Sequence, residues 1–161
     1  MIAAATGHRP NKLGNEYDLC GPHTDFIKGE IFKWLSANKP EKIISGMALG
    51  VDQIWAICGI RKDIPVIAAI PCTKQESRWP KKSIDLYNSI LSYGLVEKHF
   101  VSLENYTHEC MQKRNRWMVD NRDVLVAVWN GSPGGTANCV KYAREVNKQV
   151  FMINIDSEAR S

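Results

Sequence analysis

The chain contains no Cys-x-x-Cys pair. Its five cysteines, Cys20, Cys58, Cys72, Cys110 and Cys139, stand apart, which speaks for reduced thiols and against a zinc site or a disulfide framework. No metal and no other cofactor is expected. No apolar run approaches the ~18 residues of a membrane helix, and Ile2 to Ala5 is too short for the apolar core of a signal peptide. A cytoplasmic protein without membrane contact is therefore expected. The Gly-x-Gly-x-x-Gly spacing is missing, as are Gly-Lys-Ser and Gly-Lys-Thr, so the ordinary dinucleotide fingerprint and the P-loop ATPase are set aside. There is also no basic tract. The formal charge of +4 comes from scattered lysines and arginines with acids between them, so nucleic acid is not expected as a partner.

What is present is an ordinary globular composition, 161 residues with 44% hydrophobic side chains, enough for one domain with a real core. The expected division is a domain over residues 1–155 and a loose tail over 156–161. The most informative stretch is Met111 to Thr136, which reads as a helix, a buried strand and a glycine loop that opens the next helix. Val124 to Trp129 is six apolar residues in a row, a pattern suited to the middle of a parallel sheet with both faces covered. Asn130-Gly-Ser-Pro-Gly-Gly135 then forms a turn without large side chains, and Thr136 begins a segment with Val140, Ala143 and Val146 at helical spacing. Such a loop leaves backbone N–H groups at a helix N-terminus, where the helix dipole favours an anion.

The same order recurs along the chain. Ile2 to Ala5 reads as a strand followed by the polar turn Thr6-Gly-His-Arg-Pro10. Pro22 to Asn38 reads as a helix, Lys42 to Ser45 as a strand, and Gly46-Met-Ala-Leu-Gly50 as a turn into a helix carrying Val51, Ile54, Trp55 and Cys58. Ile64 to Ile70 is a third strand, and Cys72 to Pro80 a loop over the sheet edge. Lys81 to Ser92 and the stretch from Thr107 through Asn121 read as helices, Val96 to Val101 and Val150 to Ile155 as strands. Strands alternating with helices predict βαβ units, hence an α/β fold: a Rossmann-like three-layer sandwich with a mainly parallel central sheet and helices on both faces. Ligands of such sheets bind beyond the carboxyl ends of the strands, which points to the loops after the first, second, third and fifth strands.

Each candidate in those loops has a structural reading beside a functional one. Gly134, Gly135 and Thr136 allow a tight turn and a helix start, or they cradle a phosphate; Ser45, Gly46 and Gly50 stand in the same context and are expected to open on the same pocket. His8 and Arg9, after Thr6 and Gly7, are surface residues, or a proton donor and a fork of donors for phosphate. Arg114 and Asn115 share a helical side with Met111 and Met118. Asp52 is favoured by its helix dipole alone, or it serves as an acid. Asp120 and Asp123 lie where a helix ends. Trp79, four residues after Gln75, covers the core or stacks on a base.

Met111-x-x-Arg114-Asn115-x-x-Met118, then Asp123 and its strand, then Pro133-Gly134-Gly135-Thr136, resembles the signature of the Lonely Guy phosphoribohydrolases and of the wider SLOG superfamily. Ser45-Gly46-x-Ala48-x-Gly50-Val51-Asp52 is similar to the matching loop of the DNA-processing protein A branch. Thr6-Gly7-His8-Arg9-Pro10, with Gln75, Trp79 and Tyr142-Ala143, resembles an uncharacterised SLOG branch of bacteria and their phages. The resemblance implies a Rossmann-like pocket for a nucleotide or nucleotide-derived ligand, with phosphate on the Gly134 to Thr136 loop and Arg114 in the position of the Lonely Guy arginine. Where those enzymes carry a catalytic glutamate, three residues after the loop threonine, this chain has Cys139, so Asp52 and then Asp120 are the substitute acids if chemistry occurs.

The leading expectation is thus a nucleotide-binding sensor, carrier or sequestering protein. An N-glycoside hydrolase or transferase acting on nucleoside 5′-monophosphates is the first alternative and single-strand DNA binding the second. The molybdenum-cofactor carriers of the superfamily would also need only phosphate and ring recognition. Whether the protein is an enzyme is left open, and a homodimer or larger homo-oligomer is the expected assembly.

Overall fold

The computed structural model describes residues 1–103 and 107–156. Val124–Trp129, apolar throughout and bounded by polar residues, forms strand β5, with Val124 to Val128 buried. It lies beside β1 (Ile2–Gly7), Ala3 opposite Val124 and Gly7 opposite Val128. Ala3, Ala4 and Ala5 have no exposed surface; a central strand covered on both faces carries short side chains where helices come close.

The chain then runs outward from β1. A single 3-10 turn (Pro10–Lys12) and helix α1 (Pro22–Asn38) lead to β2 (Lys42–Ser45), helix α2 (Val51–Arg61) to β3 (Val66–Ile70), and helix α3 (Lys81–Leu91) to β4 (Val96–Phe100). Helix α4 (His108–Asp120) returns across the sheet to β5, and helix α5 (Gly135–Glu145) leads to β6 (Gln149–Asn154). The six strands lie in the order β4-β3-β2-β1-β5-β6, and every pairing is parallel. Strand order reverses between β1 and β5, so the crevice of an open α/β sheet falls at their carboxyl ends.

Two cores follow from the alternation of side chains along the strands. Ala3, Ala5, Ile43, Val66, Val126 and Val128 face α1, α2 and α3, where Ile31, Trp34, Ile54 and Trp55 pack. Ala4, Ile44, Ala69, Leu125 and Ala127 face α4 and α5, meeting Met118, Val119, Cys139, Val140 and Ala143. Trp55 is fully buried, and its ring N–H donates to the carbonyl of Ile44 at 3.0 Å, which satisfies its polar edge. The expected α/β sandwich is therefore the observed one.

The differences from the expected boundaries are local. β1 continues beyond Ala5 to Gly7 because Thr6 and Gly7 still pair with Ala127 and Val128. β3 begins at Val66 and not Ile64, after Pro65, which has no N–H to give and only accepts from Ile43 N at 3.0 Å. The tail expected over 156–161 lies outside the described residues except for Asp156, which sits in a turn. Among the described residues no helix is long and apolar enough to cross a membrane.

Candidate functional site

A cavity of about 350 Å³ opens at the strand-order reversal, within the size of small-molecule sites. The end of β1 contributes Thr6, Gly7, His8 and Arg9, and Lys12 returns to it from the following turn. His8 ties the two central loops together: its N–H donates to Val128 O at 3.3 Å, and its Nε2 meets the Asn130 side-chain oxygen at 2.9 Å. Lys12 Nζ donates to Ser132 Oγ at 3.0 Å and makes a second tie between the same loops.

The β5 loop is shaped from within. The Trp129 ring N–H donates to Ser132 O at 2.7 Å, and Ser132 N donates to the Asn130 side chain at 3.0 Å. Gly134 follows at φ 141°, a left-handed backbone suited to glycine, and is the N-cap of α5. It brings no side chain to cap the helix. The first-turn N–H groups of Gly135, Thr136 and Ala137 therefore lack intrahelical acceptors, as such groups do, and Gly134, Gly135 and Thr136 line the cavity.

Arg114 forms the opposite wall from α4, only 3% exposed. Its Nε donates to the Asn115 side chain at 3.0 Å and one Nη to the carbonyl of Gly46. Burial pulls the guanidinium below its ordinary pKa, opposed by the carboxylate of Asp52. Asp52, at the start of α2, also lines the cavity and accepts from Ala48 N at 3.3 Å. Burial pushes its carboxyl above the usual range, against the pull of Arg114, the Ala48 N–H and Arg9.

The second glycine loop does not do what its sequence suggests. Ser45, Gly46 and Gly50 are not among the residues that line the cavity, and the amides around them are spent internally. Met47 N donates to Ser45 Oγ at 3.1 Å, Ala48 N to Asp52, and Val51 N to His8 O at 3.2 Å. Gly46 is small because a Cβ there would stand 2.3 Å from an Arg114 Nη and 2.8 Å from Asp52 Oδ2. Gly50, at φ 89°, lets the loop close on the backbone of His8. These glycines seat Arg114 and Asp52 and leave the open backbone donors to α5.

Of the other expected residues, Asn115 lines the first cavity, whereas Gln75 and Trp79 line a neighbouring one of about 570 Å³ that shares Arg9 and Met111 with it. Asp120 lines neither, because it ends α4 well past Arg114 and accepts from Tyr142 OH at 2.8 Å. It is thereby withdrawn from the substitute acids near this cavity. Lys12, Ser132 and Met111 line the site without having been expected there; Met111 carried a signal, one helical turn before Arg114, while Lys12 depended on a turn whose return is not visible in spacing. Among the described residues, no group of three or more His, Cys, Asp or Glu side chains is placed to hold a metal.

Residues 24–161 match the family described as DNA recombination-mediator protein A. The chain belongs to that family. It is 33% identical over 136 residues to an uncharacterized SPbeta prophage-derived protein of Bacillus subtilis strain 168, across 75% of this chain and 80% of that one. Its fold is similar to DNA processing protein A of Streptococcus pneumoniae, with a TM-score of 0.66 and 20% identity over 94% of this chain and 49% of that one. The Helicobacter pylori protein of the same name matches with a TM-score of 0.64 and 20% identity, over 94% and 64% respectively. The chain thus spans about half of the pneumococcal protein and less than two thirds of the Helicobacter one.

Family membership overturns one expectation. The modest net charge speaks against nucleic acid, yet the Helicobacter relative has a single-stranded DNA binding mode. Net charge averages over the whole surface, and recognition depends on which cations gather at one cleft. The cysteine in the position of the Lonely Guy glutamate is buried, and burial pushes the Cys139 thiol up to about 11, so it supplies no anion near neutral pH.

Proposed function

We propose that the chain binds the phosphate of a nucleotide in the cavity between the β1 and β5 loops. The uncapped N-terminus of α5, set across one cavity from the buried Arg114, carries this reading. Backbone N–H groups and the helix dipole favour the anion from one side, and a guanidinium offsets its charge from the other. Arg9, Lys12 and Asn115 lie within reach of the remainder of a nucleotide. Calorimetric titration with nucleoside 5′-monophosphates, cyclic nucleotides, diphosphate-ribose species and the parent nucleosides tests this. Binding that requires the phosphate is expected; equal binding of nucleosides, or none of the panel binding, sinks it.

Family membership favours a second reading in which the nucleotide is part of single-stranded DNA. The same phosphate contacts serve both, and competition between a monophosphate and an oligonucleotide for the protein separates shared from independent sites. Asp52 in the same cavity makes N-glycoside cleavage testable in these mixtures. Chromatography would show free base released by the parent protein and not by Asp52→Ala if that chemistry operates.

A further inference from the structure

The two edges of the sheet are finished differently. β4 ends it on one side with Glu97, Lys98 and His99 exposed along the strand, side chains of the kind that keep an edge from pairing. β6 ends it on the other side, and Gln149–Asn154 contains no charged residue and no proline. Among the described residues no strand pairs with its outer side. A six-residue edge of this length and apolar composition is a template for a further strand.

Both faces beside that edge are also unfinished. Phe151, opposite Val126, lies on the α1 side with its ring centroid 6.3 Å from that of Trp34, and Met152, opposite Ala127, lies on the α5 side. They are 45% and 40% exposed. On the α5 side an open groove of about 470 Å³ is lined by Trp129, Ala137, Val140, Lys141, Arg144 and Glu145. A lone peptide strand added to β6 would cover one row of side chains on each face and leave this groove open. A second copy brings its own helices with its strand. Helix α5 packs on β5 and β6 alike, so with strands ~4.8 Å apart it stands about 10 Å from its copy across a two-fold axis beside β6, the spacing of packed helices. Such an axis, perpendicular to the sheet, keeps every side chain on its own face. With the axis at Met152, that residue meets its copy, Phe151 meets Ile153, and Lys148 before one strand comes to Asp156 after the other, opposite charges at both ends.

We infer that two copies of the chain pair antiparallel through β6, joining their six-stranded sheets into one, with α5 against α5 on one face. The dimer is closed, because its outer edges are the two β4 strands with their charged residues. It gives the expected homo-oligomer one form and does not rest on the phosphate reading. Sedimentation equilibrium of the full chain is expected to show a dimer with a dissociation constant of about 10 µM or tighter. Hydrogen exchange reads the interface in the parent protein: amides of Gln149–Asn154 should be better protected where dimer prevails than after dilution to monomer, with no such change in Val96–Phe100. Met152→Lys should weaken association at least about tenfold, whereas Phe100→Lys, at a β4 site that is 44% exposed, should leave it unchanged. Circular dichroism establishes that each variant is folded; should Met152→Lys unfold the chain, the exchange result decides alone. A monomer at about 100 µM, an assembly larger than two, or a folded Met152→Lys protein that dimerises as the parent does overturns the inference. So does a dimer whose β6 amides exchange as fast as in the monomer. Protection of β6 at every concentration would mean that the strand is covered within one chain, and this overturns it as well.

Discussion

Arg114 is a buried cation beside a buried acid, and the residue that permits the arrangement is Gly46. Any side chain there meets the guanidinium and Asp52 Oδ2 together. Gly46→Ala is therefore expected to displace Arg114 from the cavity wall and weaken binding of a nucleoside monophosphate by about ten- to a hundredfold, the scale of a charge-assisted hydrogen bond. Calorimetry alongside circular dichroism checks it; a folded variant with unchanged affinity would remove Arg114 from the phosphate site. Asp52 gives the opposite sign. When ionised it repels a bound anion, and its carboxyl is held above the usual range, so ionisation comes at a higher pH than for an exposed aspartate. Asp52→Asn should bind sulfate, which does not titrate here, about three- to tenfold more tightly than the parent at a pH above the carboxyl's raised pKa, where the parent is ionised. The advantage should shrink as the pH is lowered through the carboxyl's raised pKa, where the parent also becomes neutral. An advantage independent of pH would show that the charge of Asp52 is not what opposes the anion.

Helix α1 shows an element completed by a residue outside it. Its N-cap, Gly21, makes no side-chain bond, and Glu16 takes that place from the preceding loop. The Glu16 carboxylate accepts from His23 N at 3.2 Å, His23 Nδ1 at 2.7 Å, Thr24 N at 2.9 Å and Thr24 Oγ1 at 2.9 Å. Burial alone would raise its pKa, but these bonds outweigh burial and hold it below the ordinary value. A depressed folded pKa means stability that is present above the unfolded pKa and lost as pH falls through the folded one. Glu16→Gln is expected to cost about 1–2 kcal/mol at pH 7, roughly 3–6 °C in melting temperature, with the two proteins converging as pH falls through the folded pKa of Glu16, below its ordinary 4.5. A difference that stays constant after Glu16 has become protonated in the folded protein would assign the loss to packing. The Glu16 cap also shows why the elements were more legible than the site. Val124–Trp129 announces itself by an apolar run of strand length, Lys42–Ser45 by the pair Ile43 and Ile44 before a glycine turn, and α1 by Pro22 and the spacing of Ile27, Ile31 and Trp34. Local patterns of that kind carry period and boundary. They do not tell whether a glycine loop spends its amides on itself, and so the loops at Gly46 and Gly134 looked alike although only the second keeps its donors open. Nor do they show which cavity receives Trp79, which depends on where the β3 loop folds back.

At the scale of the molecule, the question is whether a net charge of +4 is consistent with a nucleic-acid ligand. A protein that coats a strand over a broad face needs many phosphate contacts, and this chain has no basic tract for that. The cations available at the joined cavities are Arg9, Lys12, Arg114, Lys74 and Arg78, and Lys12 and Arg114 already donate to Ser132 and Gly46. Binding of single-stranded DNA through this cleft should therefore neutralise no more than about four phosphates and give a slope of log affinity against log salt of about −3 or shallower, at ~0.7 per neutralised phosphate. A double variant, Lys74→Asn with Arg78→Gln, should make that slope shallower by about 1.4, since it removes both cations that the β3 loop brings to the second cavity. Titrations of a single-stranded oligonucleotide between about 50 and 200 mM salt measure both quantities. A slope of about −6 or steeper, or one that the double variant leaves unchanged, would place the strand on a different and wider surface. A shallow slope that responds to Lys74 and Arg78 makes the modest charge intelligible, since a cleft that holds a few nucleotides needs only a few cations placed at the right corner of the sheet.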